Sequence, residues 1–493
     1  MEQVATAKSH KALVLSTTAF TVCFAAWMLN GVLVTFLASN QVFDWGPVEI
    51  GWLMGIPVLA GSVFRLPAGM LTDKFGGKPV YGALLFICAV PMYLLSYADS
   101  FLEFALCSFG FGLSGASFAI GIAYTSVWYP QSRQGTVLGI FGAGNAGAAL
   151  TLVFAPMLLS ALTDNETNTE GWRQLPVYYA AILVVTGALF LIFADNKKPA
   201  THGKSMVAML RPLTDLRVWR FGLYYFLVFG CFVAFSQWLV PYFVNVYLMP
   251  LAIAGILAAL FSFPSGVIRI AGGWMSDRWG GRAVMYWVLG LSVAISFMLV
   301  IPKMDIYSPG QGVMNKIPGT VIEVSETYIV VDQKKYPLKV NSRSFEELDD
   351  DVLVFPTKST WQEPVVKVGQ KVQRRELLAK GITRIYFQAN VWIFAGLVMI
   401  LGAVWGIGKA SVYKLVPDYY PEEVGVVGGM VGVLGGLGGF VSPIIFGYLL
   451  EHTGLWTTCW MFMWVLSVIC LFWLHNVVQL IQRREHPESE HKI

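Results

Sequence analysis

The chain has 493 residues, 56% of them hydrophobic and only 13% charged. Soluble domains carry about a quarter charged residues, so this composition excludes an ordinary soluble protein. The net charge of +4 resides mostly in short loops between apolar runs and gives no reason to expect a nucleic-acid partner. A membrane span needs about 20 mostly apolar residues, and runs of that length recur along the chain. The first run, 13–37, is too long for a signal-peptide core and lacks a small-residue cleavage site, so a retained span is expected. Eleven more follow at 46–70, 80–99, 101–128, 135–161, 175–195, 217–245, 250–274, 283–303, 387–414, 424–451 and 456–480.

Short loops between even and odd spans carry Lys74, Lys78, Arg133, Lys197, Lys198, Lys204, Arg211, Arg278, Arg282 and Lys414. On the opposite side Arg173 is the clearest basic residue. The positive-inside rule therefore predicts that both termini are cytoplasmic. The six cysteines fall within spans and in no metal-type spacing, so they read as small packing residues.

Internal repetition organises the chain. RLPAGMLTDKFGGKPV (65–80) matches RIAGGWMSDRWGGRAV (269–284) at a constant offset of 204, pairing Arg65 with Arg269 and Asp73 with Asp277. A weaker match joins the glycine-rich stretch after Tyr129-Pro130 to that after Tyr420-Pro421, at an offset of 291 and then 290. The larger second offset requires an insertion of about 86 residues in the second half. Residues 304–386 supply it: they break the apolar pattern and include Asp349, Asp350 and Asp351. The alternating runs 320–324, 327–331 and 336–340 predict short strands. Segment 365–381 resembles part of a lipoyl- or biotinyl-carrier fold but lacks a modifiable lysine in the usual flanks. The expected domains are a first bundle (1–195), a cytoplasmic linker (196–216), a second bundle (217–303 and 387–493) and an extracytoplasmic β-rich insertion (304–386).

The Gly-x-x-x-Asp-basic-aromatic-Gly-Gly-basic element of each repeat lies just after the second span of its half. Its glycines permit a tight turn, and its Asp and basic residues suit a charge network that rearranges as the halves move. Asp73 and Asp277 are therefore candidate gating residues. This element, present twice, resembles the loop signature of the major facilitator superfamily. The resemblance implies an all-α membrane protein of two pseudo-symmetric six-helix bundles. Within it the chain resembles the nitrate/nitrite porters, on Arg65, Arg269 and the glycine-rich stretches GIFGAGNAGAALT (139–151) and GGMVGVLGGLGGFVSP (428–443). That likeness places Asn145, Phe118, Tyr225 and Phe229 where the family lines its substrate site.

The arginines argue for an anion without the resemblance. Arg65 and Arg269 each precede a surface aspartate by eight residues, which sets each Cα about 12 Å into the membrane. A charge at that depth costs at least about 2.5–3.5 kcal/mol and faces a polar cavity as a rule. No span carries a mid-membrane carboxylate, so a structural ion pair lacks its acid and an anion becomes the natural counter-ion. Guanidinium forks suit planar oxyanions, which they bind bidentately without losing their proton. The residues alone admit nitrate, nitrite, formate, bicarbonate or a small carboxylate; the resemblance narrows this to nitrate and nitrite.

The glycines of spans five and eleven serve close helix packing first, with direct backbone approach to the anion expected near Asn145, Gly144 and Gly435. Lys409 leaves three readings open: proton exchange, a third positive charge, or a side chain reaching to the cytoplasmic surface. The expected function is secondary transport of nitrate and nitrite by alternating access, as exchange or with a proton. Transport of another small anion, or an anion sensor acting through the insertion, are the alternatives. No nucleotide loop, metal cluster or nucleophile–base spacing supports an enzyme. No cofactor is expected, and the partners are the anion and the lipid bilayer around a monomer in the cytoplasmic (inner) membrane.

Overall fold

The computed structural model describes residues 7–129, 131–164, 167–198, 214–300, 304–340, 357–387, 390–420 and 424–485. The expectations for Pro130, Lys204, Arg211, Asp349 to Asp351 and Pro421, and for the Arg133 side chain, lie outside the described residues. The chain divides into two compact units, Met1–Val300 with Ala395–Ile493, and Ile301–Phe394.

The first unit is helical. Its elements are α1 (Ala7–Ser39), α2 (Pro47–Phe75), α3 (Gly77–Tyr97), α4 (Phe101–Ser126), α5 (Val137–Leu162) and α6 (Thr169–Phe193). Then come α7 (Leu216–Val246), α8 (Leu251–Val267 and Arg269–Trp279), α9 (Gly281–Leu299), α10 (Val391–Tyr419), α11 (Val424–Thr453) and α12 (Thr458–Glu485). Among the described residues eleven helices are long and apolar enough to cross a membrane, or twelve when the two segments of α8, bent by 43°, count as one. The tenth span starts at Val391 rather than 387, because residues up to Phe387 belong to a strand.

Several helices break at one level. α2 interrupts at Phe64 and α8 at Ile268, so Arg65 and Arg269 each open the second segment of a broken helix. In α2, Pro67 lacks the N–H that would pair with the Val63 carbonyl. α4 tightens to 3₁₀ geometry over Leu113–Ala116 and α5 over Ala143–Ala146, while α7 widens to a π-turn over Phe226–Cys231. Such departures from α geometry gather at functional sites because they re-aim neighbouring side chains. The loop signature behaves as its composition demands: Gly76 and Gly280 sit at φ +87° and +83°, backbone that residues with a Cβ rarely adopt.

Helices of the two halves meet tightly away from the termini. A methyl at Gly51 of α2 would stand 2.4 Å from the Pro443 carbonyl oxygen of α11, and one at Gly255 of α8 would stand 2.1 Å from that of Leu152 on α5. At the other end, which carries Ala7 and Glu485 and is called here the terminal end, Gly69, Gly273 and Gly429 face open space. The bundle is thus closed at the far end and open toward the terminal end.

The second unit is a small β structure. β1 (Met304–Met314), β7 (Leu377–Phe387) and β5 (Thr357–Pro364) form one antiparallel sheet in the order β1-β7-β5. β4 (Lys334–Pro337), β3 (Tyr328–Val331), β2 (Gly319–Val324) and β6 (Lys371–Val372) form the other in that order. Inward alternation buries Val321, Ile329, Val331, Tyr336, Val372 and Leu378 in one core. The third expected strand starts two residues early, at Lys334, and the long strands β1 and β7 flank the segment. The β2–β3 turn holds Ser325, Glu326 and Thr327, so it presents no lysine for modification.

Candidate functional site

The broken helices converge on one charged chamber. Arg65 is 5% exposed; its Nη1 donates to the Gly432 carbonyl of α11 at 3.0 Å and its Nε to the Gly115 carbonyl of α4 at 3.4 Å. Its guanidinium carbon lies 5.1 Å from the Phe229 ring centroid, 5.5 Å from that of Phe118 and 5.8 Å from that of Trp27. Arg269 enters from the opposite half, 5.7 Å from the same Phe118 ring and 5.6 Å from that of Tyr413. One phenyl ring thus carries a guanidinium from each half, a cation–π arrangement that tolerates positive charge without neutralising it.

The glycine-rich stretches leave room for these forks. A methyl at Gly432 would stand 3.9 Å from Arg65 Nη1, and one at Gly142 would stand 3.7 Å from Arg269 Nη1. Gly142 and Gly432 are the pair matched at offset 290, so each arginine reaches across to the equivalent glycine of the other half. Gly435 makes space for an aromatic ring instead, since a methyl there would meet Tyr225 Cδ1 at 2.1 Å. Tyr225 stacks on Phe229 (4.9 Å, 6°) and meets Tyr413 edge-on (5.0 Å, 84°). Gly144, expected beside the anion, packs against Phe20 and Thr21 of α1, where a methyl would meet Phe20 Cδ1 at 2.5 Å.

Several buried polar groups at the chamber stand without partners among the described residues. Arg269 Nη1 is buried and unbonded, and so are both amide atoms of Asn145. Asn145 lies in the tight turn of α5, its Cβ 3.8 Å from where a methyl on Gly266 would project, one turn before Arg269 on α8. Buried donors of this kind cost about 1–3 kcal/mol each unless a ligand or water takes the bond.

Lys409 is fully buried, so the surface-reaching reading falls. Its Nζ donates to Ser265 Oγ at 2.8 Å and sits 3.0 Å from the Phe232 ring centroid and 5.9 Å from that of Phe229. Phe229 therefore lies between Arg65 and Lys409. Among the described residues none of the three cations has an acidic partner.

The candidate gating aspartates differ from each other. Asp277 pairs with Lys414 of α10 at 2.8 Å, and Lys414 lies 3.9 Å from Asp418. Asp73 is half-buried and has no ion pair among the described residues. The first half is latched elsewhere at this end: Lys11 pairs with Asp195 at 2.7 Å and holds that carboxyl below its ordinary range.

Sequence reasoning missed Trp27, Tyr413 and Ser265. Tyr413 was within reach, because it follows Lys409 by four residues on one helix face. Trp27 and Ser265 lie in apolar runs whose sequence gives no sign of which face meets the chamber.

The chain matches the family model of the Major Facilitator Superfamily over residues 15–315 and 377–493. It is 36% identical to a probable nitrate/nitrite antiporter, NarK1, of Thermus thermophilus over 490 residues, covering 98% of this chain and 95% of that one. The nitrite extrusion protein of Bacillus subtilis (strain 168) is 24% identical over 91% of this chain and 89% of its own. Among solved structures the fold resembles a bacterial homolog of the human lysosomal transporter Spinster in an inward-facing, occupied conformation. That match has TM-score 0.63 and 12% identity, covering 97% of this chain and 98% of that one. The nucleoside transporter NupG follows at TM-score 0.60 and 12% identity, over 96% of this chain and 99% of that one. The chain is a multi-pass membrane transporter of the major facilitator superfamily and belongs, within it, to the nitrate/nitrite porters.

Proposed function

We propose that the protein carries nitrate and nitrite across the cytoplasmic membrane by alternating access. The observation that carries this reading is the chamber itself: two guanidiniums, one from each half, share the Phe118 ring without an acidic partner. A planar monoanion supplies the missing charge. It accepts from Arg269 Nη1 and the Asn145 amide while its face lies on an aromatic ring. The names of the relatives in Thermus and Bacillus point to the same cargo.

The moving parts are the bundles 1–195 and 217–303 with 387–493, which rock around this chamber. With the far end closed and the terminal end open, the state described is the one that loads or releases anion at the terminal end. The basic short loops assign that end to the cytoplasm. Asp277–Lys414 serves as a terminal-end latch, and a single chain holds a complete path, so the working unit is a monomer.

Exchange of nitrate for nitrite follows from the charge balance. Closing the halves over an empty chamber brings cations together with nothing between them, so the carrier crosses loaded. Lys409 favours a second reading, proton-coupled uptake, because a buried amine bonded only to a serine can release its proton without breaking an ion pair. Proteoliposomes separate the two: exchange requires internal nitrite, and symport requires an inward proton gradient. Failure of nitrate uptake under both conditions would remove the reading altogether.

A further inference from the structure

The second half carries a basic cluster at its terminal end that the chamber does not use. Arg217 and Arg282 approach the Tyr419 ring, their guanidinium carbons 5.0 and 5.7 Å from its centroid. Arg220, one turn on from Arg217 in α7, is 9% exposed, and its Nε has no hydrogen-bond partner; the buried Tyr419 hydroxyl has none either. The acids described at this end are already engaged: Asp277 and Asp418 with Lys414, and Asp215 with the Tyr420 hydroxyl and the Arg217 amide. Arg217 and Arg282 thus flank one tyrosine with Arg220 one turn away, and the Asp215 carboxylate offsets part of the charge of Arg217 and Arg220.

Of this cluster Arg282 and Tyr419 line a cavity of about 510 Å³, together with Tyr286, Leu415 and Asp418. Tyr286 also lines a second, almost wholly apolar groove of about 680 Å³ between α9 and α12, walled by Trp287, Leu291, Val468 and Phe472. At their junction Tyr286 Oη lies 3.1 Å from His475 Nδ1. Charge at one end and an open hydrocarbon channel at the other match an amphiphile with an anionic head.

The geometry points to a specific site for an anionic phospholipid. Its phosphate lies against Arg282, with Arg217 on the same Tyr419 ring and the Tyr419 hydroxyl donating to it, and one acyl chain occupies the α9–α12 groove. Basic pockets between membrane helices recognise lipid headgroups in this way. The site is separate from the anion chamber and independent of the cargo assigned above. Bound lipid bridges α7, α9 and α10 and thereby steadies the second half at its open end.

Native mass spectrometry of the full-length protein in detergent tests this, with phosphatidylglycerol and phosphatidylcholine of identical chains as probes. Phosphatidylglycerol is expected to be retained about tenfold more, and Arg217→Gln with Arg282→Gln to abolish that preference. Arg282→Lys keeps the charge and should keep most of the preference, which guards against a variant that merely misfolds. Leu291→Trp fills the groove and should reduce retention of both lipids with the arginines intact. Equal retention of the two lipids by the unmodified protein, or a preference that survives the double substitution, would overturn the proposal. Displacement of phosphatidylglycerol by millimolar inorganic phosphate would overturn it as well, marking a site for a free ion.

Discussion

Arg65 and Arg269 occupy matched positions in the two halves, each opening the second segment of a broken helix, yet the structure holds them differently. Arg65 is buried, bonded to carbonyls of α4 and α11, and enclosed by three rings. Arg269 is half-buried, and its Nη1 has no partner. Equal sequence positions therefore sit in unequal surroundings in the state described: Arg65 ties the halves together through Gly432, and Arg269 keeps an unbonded donor among the described residues. Rocking to the opposite state would exchange these roles, because Gly142 stands to Arg269 as Gly432 stands to Arg65.

The strongest test of this comparison replaces each arginine with lysine, which keeps the charge and removes the fork. Charge-assisted hydrogen bonds contribute about 1.5–3 kcal/mol each, so losing both of Arg65's should cut nitrate uptake about a hundredfold or more. Arg65→Lys should also lower the thermal midpoint. Arg269→Lys should weaken anion affinity about tenfold and leave the anion-free midpoint nearly unchanged. A reversed order in thermal shift would sink the assignment of Arg65 as the anchored partner.

A second test places an acid in the chamber. Asn145→Asp supplies an internal counter-ion beside Arg269, and anion affinity should fall at least about tenfold at neutral pH. Acidification protonates the new carboxyl and should restore part of that affinity, read by binding titrations across pH. Unchanged affinity at neutral pH would show that Asn145 stands outside the anion's reach.

The glycines give a smaller contrast. Gly435→Ala drives a methyl into Tyr225 and should cost about 1–3 kcal/mol in stability, whereas Gly69→Ala meets open space and should cost little. Comparable thermal shifts in the two variants would deny close packing at Gly435. The smallest effect belongs to the exposed Lys11–Asp195 pair. Because Lys11 lowers the Asp195 carboxyl in the folded state, its contribution is complete above the ordinary carboxylate range and is lost as pH falls through the lowered value. Asp195→Asn should therefore slightly reduce the thermal midpoint at neutral pH and leave it unaltered in acid.

Much of the architecture is legible in the amino-acid order. Apolar run length fixes a membrane class because every buried backbone group must be satisfied within its own helix. The 204-residue offset pairs Arg65 with Arg269, and the larger later offset exposes the insertion at 304–386. The absence of a mid-span acid turns two cations into an argument for an anion. Gly76 and Gly280 were readable as turns, since only glycine enters that backbone region freely.

What the sequence left open depends on which faces meet. Asn145 and Gly144 are adjacent in one tight turn, yet one side chain stands unbonded beside α8 and the other residue packs on α1. Of the three readings of Lys409 the surface-reaching one depended on where a flexible four-carbon stem points, and the packing against Phe232 and Ser265 removed it. The asymmetry between the two arginines exists only because the halves are closed at one end and open at the other. A repeat in sequence determines equivalent positions; the packing of one bundle against the other determines which donor is satisfied and which is left unbonded.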